Sequence, residues 1–147
     1  MAKGPPPRFL VKSAVAIHNL LYRASGGRIG GRLSGAPVLL LKVKGRKSGA
    51  LQTVPLLYVT TDKGFALIAS FAGSPKHPAW YLNLEAAGIA DVQIRSRRIR
   101  VRAETVDPDS ERYRQIWRDA VALYPDYDTY QTRTTRQIPV VELVPLS

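Results

Sequence analysis

Val38-Leu39-Leu40-Leu41-Lys42-Val43-Lys44-Gly45-Arg46-Lys47-Ser48-Gly49-Ala50-Leu51-Gln52-Thr53-Val54-Pro55-Leu56-Leu57-Tyr58-Val59-Thr60 sets the architecture of this chain. Val38 to Lys44 is a mostly apolar run of strand length, Gly45 to Gly49 is a turn, and Gln52 to Thr60 is a second strand interrupted by Pro55. So short a connection forces the two strands to pair antiparallel. Pro55 has no amide to give to a ladder, so it belongs at an edge or a bulge. A bulge there would bend the strand and open the sheet toward a ligand. Thr61-Asp62-Lys63-Gly64 is the next hairpin signal, and Phe65 to Ser70 is the third strand.

Further along, Pro78 to Ala87 reads as a short helix ended near Gly88. Asp91 to Arg95 and Arg98 to Val106 are another strand pair. The second alternates Ile99, Val101 and Ala103 with Arg98, Arg100 and Arg102, one set for each face. Asp107-Pro108-Asp109-Ser110-Glu111 starts a helix that runs to about Leu123: Asp107 would cap it, Pro108 suits the first position, and the acids oppose the dipole. Ile138 to Val144 is the last strand. The pattern predicts a mainly β (α+β) domain, a six-stranded antiparallel barrel or half-open barrel with two or three flanking helices.

Upstream, Met1 to Pro7 is rich in Pro and Gly, and Gly26 to Gly35 reads as a basic linker. Between them Leu10, Ala14, Ile17 and Leu21 repeat at helical spacing beside Lys12, His18 and Arg23. Residues 1–35 are therefore expected to be a basic arm with an amphipathic helix, and residues 36–147 the barrel domain. The helix would pack on the domain or lie on a membrane surface through residues 8–23.

A chain of 147 residues fits one domain and buries enough surface to need no staples. With no Cys, thiolate and disulfide chemistry are excluded, and two His make a His-based metal centre a poor expectation. Lys and Arg number 22 against 11 acids, a net charge of +11 that favours an anionic partner. The longest apolar tract, Ala14 to Leu21, is too short to span a bilayer, and no clear signal-peptide cleavage site follows it. The expected location is the cytoplasm, with a peripheral contact on the inner face of the cell membrane.

Three stretches carry chemistry. Gly45-Arg46-Lys47-Ser48-Gly49 offers two cations, a hydroxyl and turn amides, the parts a phosphate needs, although it reads equally as a hairpin with solvated charges. His77-Pro78-Ala79-Trp80-Tyr81-Leu82-Asn83-Leu84 places Trp80 and Asn83 one helical turn apart. Those two are either core residues or a ring face and an amide for a heterocycle. Tyr124, Tyr127 and Tyr130 recur every third residue, as a cover over the barrel or as an aromatic wall with phenol donors. No triad spacing, apolar carboxylate pair or metal-ligand cluster is present in the sequence, so hydrolysis is disfavoured. Cofactor-borne hydride transfer suits the inventory better.

The ordered set of Gly45-Arg46-Lys47-Ser48-Gly49, Val54-Pro55-Leu56-Leu57-Tyr58, Ala69-Ser70, Pro75-Lys76-His77-Pro78-Ala79-Trp80-Tyr81-Leu82-Asn83-Leu84 and Tyr124-Pro125-Asp126-Tyr127 resembles the deazaflavin-dependent nitroreductase family of actinobacteria, from about Val38 to the C-terminus. The resemblance implies a split β-barrel and coenzyme F420, an 8-hydroxy-5-deazaflavin with a phosphate and an oligoglutamate tail. It implies that Arg46, Lys47 and Ser48 hold the phosphate and tail. Thr53, Val54, Pro55, Leu56, Leu57 and Tyr58, with Ile68, Ala69, Ser70 and Phe71, would line the ring. Ala79, Trp80, Tyr81, Leu82 and Asn83 would close over it. Tyr58, Ser70, Tyr124, Tyr127 and Tyr130 would face the acceptor, with Ser70, Tyr127 or solvent delivering a proton. Some relatives place Lys where Phe71 stands here, so this pocket is more apolar and nitro reduction is left open.

The resulting expectation is an F420-dependent reductase passing hydride to a quinone, nitroaromatic or enone, as a monomer or homodimer. Two rivals are a split barrel binding flavin mononucleotide and a non-catalytic anion-binding or nucleic-acid-binding module. The second would use Arg95, Arg97, Arg98, Arg100 and Arg102, but no aromatic residue interleaves them, so nucleic acid is not the expected partner.

Overall fold

The computed structural model describes residues 32–33 and 36–146. The expected helix over Phe9 to Tyr22, the linker and the membrane contact of residues 8–23 lie outside the described residues.

The described chain forms β1 (Arg32–Leu33), β2 (Ala36–Lys44), β3 (Leu51–Leu57), β4 (Val59–Thr60), β5 (Phe65–Ile68), a 3-10 turn (Phe71–Gly73), α1 (Ala79–Ala87), β6 (Ile89–Ile94), β7 (Arg97–Thr105), α2 (Glu111–Leu123), α3 (Asp126–Thr132) and β8 (Val140–Pro145). The strands pair antiparallel in the order β1-β2-β6-β7-β8-β5-β4, with β3 on β2. The mainly β architecture is as expected, with eight described strands in place of six. The two additions are β1 and β4, each of two residues.

β4 exists because the expected strand Gln52 to Thr60 changes partner. β3 pairs with β2 from Val38↔Leu57 to Lys44↔Leu51. β4 pairs with β5 through Val59↔Ala66 and Thr60↔Phe65. Tyr58 stands between, its amide still donating to the Pro37 carbonyl at 3.2 Å. Among the described residues β3 has no strand partner but β2, so the sheet is closed at Val59 and split from Leu57 toward Leu51. Pro55 sits opposite Leu40 in an unbroken register. The edge placement therefore holds and the bulge does not; the sheet opens through the change of partner at Tyr58.

Alternation along the strands makes two cores. Leu39, Leu41, Val43, Leu67, Val92, Val101, Val141 and Leu143 fill the inside of the curled sheet with Trp80 and Leu84 of α1. Val59, Ala66, Ile68, Ile138 and Val140 pack outward under Tyr113, Ile116, Ala120 and Tyr127 of α2 and α3. Leu39, Leu41, Leu67 and Leu143 are fully buried, and each contributes about 1.5–3 kcal/mol by leaving water.

Two helix boundaries differ from expectation. Asp107 does not cap α2: its carboxylate accepts the Asp109 amide at 2.9 Å, and Ser110 caps instead by accepting the Tyr113 amide at 3.1 Å. A Ser hydroxyl three residues ahead satisfies an amide that Asp107 is too distant to reach. Tyr124 is extended (φ −144°, ψ 89°), as a residue before proline prefers. The chain therefore leaves α2 there and re-enters as α3, which carries Tyr127 and Tyr130.

Candidate active site

The split has two lips. One is the edge of β3 that has no strand partner among the described residues. The other is the chain leaving β5, from Ile68 to His77. The Ala69 amide donates to the Pro139 carbonyl at 2.9 Å, so by strand alternation the main-chain groups of Ile68 point away from β8, into the split. Leu57 would be its next partner in the Val59↔Ala66 register, but the pairing stops there. Leu57 and Tyr58 meet Ile68 here, where the two lips of the seam, Thr53 to Tyr58 and Ile68 to Phe71, begin to part. On the β3 side Val54, Leu56 and Tyr58 pack on the inner core while Leu57 packs outward. Tyr58 meets Phe65 edge-on at 5.6 Å.

At the far end of β3, on the order of 20 Å from Leu57 at strand rise, lies the Gly45–Gly49 turn. Its Gly45 and Gly49 amides are used internally, to the Ala50 and Gly45 carbonyls at 2.8 and 2.9 Å. Gly45 fits because a Cβ there would stand 2.8 Å from the Gln52 amide nitrogen and 3.0 Å from the Ser48 hydroxyl. Ser48 Oγ accepts the Ala50 amide at 3.2 Å and keeps its own proton for an outside acceptor. Arg46, Lys47 and Ser48 are exposed.

α1 docks on this turn through Asn83. Its Oδ1 accepts from the Arg46 amide at 3.1 Å and from Arg46 Nη1 at 2.8 Å. Asn83 is 2 % exposed and Trp80 8 % exposed, the latter within the inner core. Both side chains are thus engaged within the fold. Asn83 positions the turn, and Trp80 anchors the helix, as the core side of the alternative had it. Ala79 is exposed, and Tyr81 and Leu82 are half-buried. α1 starts after Pro78 with no side-chain cap and ends at Gly88 in the left-handed region (φ 76°), whose amide returns to the Leu84 carbonyl.

The second lip is irregular. Phe71 and Ala72 have φ of 44° and 53°, and Gly73 follows at 79°. Non-glycine residues rarely hold such angles without support. The support is Arg136, which the sequence analysis missed. Its Nε donates to the Ser74 carbonyl at 2.9 Å, Nη1 to Ala69 O at 3.2 Å, and Nη2 to Ser70 O at 2.8 Å. Nη1 also lies 3.2 Å from His77 Nδ1. An arginine is a permanent donor, so Nδ1 accepts and the His77 ring is neutral with its proton on Nε2. Burial, then the Arg136 charge, lowers the His77 pKa in agreement. A lone arginine in a loop carries no periodicity, so no sequence signal marked it. The buried Ser70 gives its carbonyl to Arg136, and its hydroxyl has no partner among the described residues.

The tyrosines form a cluster on the outer side of the seam. Tyr124 and Tyr130 hydroxyls lie 3.1 Å apart, and Tyr124 and Tyr127 rings meet at 5.1 Å. Burial, followed by Tyr130, pushes the Tyr124 and Tyr127 phenols well above the ordinary tyrosine value. Both are therefore neutral hydrogen-bond donors near pH 7. With Leu57, Tyr58, Ile68 and Ala120 they enclose a recess of about 10 Å³, room for roughly one water. A larger groove of about 520 Å³ lies elsewhere, between α2 and residues 131–137. Its Trp117, Arg114 and Arg118 side chains are already bonded within the fold, so it offers few spare polar groups.

A curled sheet split along one edge, with a cationic turn at one end of the seam and tyrosines at the other, defines a split-barrel protein. The model of the F420H(2)-dependent quinone reductase family matches residues 14–145. An F420H(2)-dependent quinone reductase of Mycobacterium tuberculosis is 36% identical over 129 residues, covering 86% of this chain and 87% of that protein. Among solved structures, an F420-H2 dependent reductase, FDR-A, superposes with a TM-score of 0.64 at 37% identity, over 73% of this chain and 93% of its own. A second, described as a domain-swapped dimer, has a TM-score of 0.67 at 32% identity, over 94% of this chain and 99% of its own. The chain belongs to the F420H(2)-dependent quinone reductase family. No helix among the described residues is long and apolar enough to cross a membrane.

Proposed function

We propose that this protein binds reduced coenzyme F420 in the seam and passes its hydride to a quinone. The observation that carries the reading is that the sheet parts between Leu57 and Ile68, with the exposed Arg46-Lys47-Ser48 turn at the far end of β3. The donor set suits the cofactor: two exposed cations and a hydroxyl for phosphate and carboxylates, and a strand edge with no ladder partner among the described residues for a ring with amide-like edges. Reduced F420 supplies a hydride from C5 and a proton, so the quinone leaves as a hydroquinone with two electrons and two protons added.

Arg46 and Lys47 neutralise the tail, and Asn83 keeps Arg46 turned toward it. The main-chain edges of the two lips would hold the ring, and Tyr58 and Ile68 would keep water from it. Tyr124, Tyr127 and Tyr130 stand on the acceptor side, where Tyr127 and Ser70 donate hydrogen bonds to the quinone oxygen as negative charge develops there. Placing donor and acceptor within about 3–3.5 Å supplies much of the rate. Phe71 makes the acceptor side apolar and favours a quinone over a nitro compound.

The test is F420H2 oxidation by menadione, followed by cofactor absorbance. Turnover is expected, with Tyr127→Phe losing about tenfold or more in kcat and changing F420 affinity little. Turnover by Tyr127→Phe equal to wild type would remove its assigned role, and absence of turnover in wild type would remove the reading. The cytoplasmic location, the homodimer and the membrane contact of residues 8–23 belong to the same reading. Sedimentation equilibrium, and co-sedimentation of the full chain with anionic vesicles, test the last two.

A further inference from the structure

The 69–77 lip and the tyrosine helix are joined through one side chain. Four groups of the lip converge on the Arg136 guanidinium: the carbonyls of Ala69, Ser70 and Ser74 and the His77 ring nitrogen. A guanidinium has five N–H donors in a fixed fork, so one segment takes most of its capacity. The Arg136 main chain is held from α3. Gln131 Nε2 donates to the Arg136 carbonyl at 2.8 Å, and Gln131 Oε1 accepts the Ile138 amide at 3.0 Å. A second bridge runs beside it. Arg133, which follows α3, donates Nη1 to Ala72 O at 3.3 Å and stands 5.3 Å above the Tyr130 ring. Gly73 is pressed so closely on the end of α3 that a Cβ would lie 2.5 Å from the Tyr130 carbonyl.

We propose that Arg136 is a positioning residue that sets the separation between the Ile68–Phe71 lip and the Tyr124–Tyr127–Tyr130 wall, and thereby the distance over which hydride passes. The proposal rests on the seam being the deazaflavin site. Past Ala69 the lip has no strand ladder, and Phe71 and Ala72 hold left-handed angles. The 3-10 turn closes that stretch on itself, with the Gly73 and Ser74 amides donating to the Ser70 and Phe71 carbonyls, but only side chains from the end of α3 and the loop after it tie its carbonyls to the tyrosine side, and the Arg136 fork makes most of those bonds. Lysine does not replace it, because an ammonium is a point charge without the planar array. A shift of 1 Å in the reacting geometry costs about 100-fold in rate.

The experiment is single-turnover stopped flow of the full chain, saturated with F420H2 and mixed with menadione, for wild type, Arg136→Lys and Arg136→Ala. The amplitude reports the folded, loaded fraction, and the rate constant reports hydride transfer. Arg136→Lys is expected to keep the amplitude and lose about 100-fold in the rate constant, with F420 Kd moving less than the rate. Added guanidinium ion is expected to recover part of the Arg136→Ala rate, and methylammonium none. If Arg136→Ala does not fold, Arg136→Lys and Gln131→Ala, which loosens the Arg136 main chain, carry the test, with slower transfer at full amplitude expected. A lower amplitude at an unchanged rate constant would make Arg136 merely structural and overturn the proposal. Failure of wild type itself to bind F420 would overturn the seam reading, and the proposal with it.

Discussion

The two lips of the seam are built in opposite ways. The β3 lip is regular: seven cross-strand pairs tie it to β2, from Val38↔Leu57 to Lys44↔Leu51. The 69–77 lip leaves its ladder at Ala69, turns through three residues with positive φ, and is gathered by Arg136. In the first, stability is shared over a ladder and single side chains matter little. In the second, a few side chains at α3 and the following loop carry the geometry. On the proposed reading, a seam with one stiff, distributed lip and one lip tied to the tyrosines would keep the ring fixed while coupling its position to them.

The largest effect is expected where both lips meet, at the closed end. Glu142 is 1 % exposed and bonded to Arg112 and to Thr61 of the β4–β5 turn, the latter at 2.9 Å. Arg112→Ala strands that carboxylate and should cost about 3–5 kcal/mol, read as a fall in the urea midpoint. Burial alone would raise the Glu142 pKa, but the bonds from Arg112 and Thr61 outweigh it and leave it below its ordinary 4.5. A depressed carboxylate stabilises the fold above the unfolded value and loses that contribution as pH falls through the folded one. The difference between wild type and Arg112→Ala should therefore shrink as pH drops below 4.5; a difference independent of pH would remove the ion pair from the account.

Next comes the irregular lip. Gly73→Ala would force a Cβ against the Tyr130 carbonyl at φ 79° and should cost about 2–3 kcal/mol. Thermal unfolding checks the cost, and a fall in the single-turnover rate constant checks the coupling to the tyrosines. Asn83→Ala leaves two Arg46 donors unpaired and should cost about 1–2 kcal/mol, with F420 affinity falling more than kcat. The smallest effect belongs to the regular lip: Pro55→Ala, on an edge strand in an unbroken register, should stay within about 0.5 kcal/mol. A Pro55→Ala cost equal to that of Gly73→Ala would erase the contrast between the lips.

Most of the fold was legible because it rests on period and turn chemistry. The apolar run from Val38, the Thr61–Gly64 hairpin and the alternation of Ile99, Val101 and Ala103 each lead to the observed strands. The change of partner at Tyr58 was not legible, because nothing in Leu57-Tyr58-Val59 says which neighbour each residue meets. Of the candidate site, the two lips and the cationic turn were visible as motifs. Asn83 and Trp80 were visible too, but motif spacing does not tell a ligand-facing amide from one that caps a neighbouring arginine. Arg136 was invisible for a related reason: its partners lie 59 to 67 residues away in sequence, and loop arginines are common.

The central claim, that the seam and its turn hold the deazaflavin, is tested most directly by titrating wild type and Lys47→Ala with oxidised F420 and following ring fluorescence at two salt concentrations. Saturable binding by wild type, weakened about tenfold or more by Lys47→Ala as for loss of a charge-assisted contact and only partly by salt, is the expected result. Equal affinity of the two proteins would move the tail away from the Gly45–Gly49 turn, and absence of binding, with flavin mononucleotide bound instead, would contradict the account.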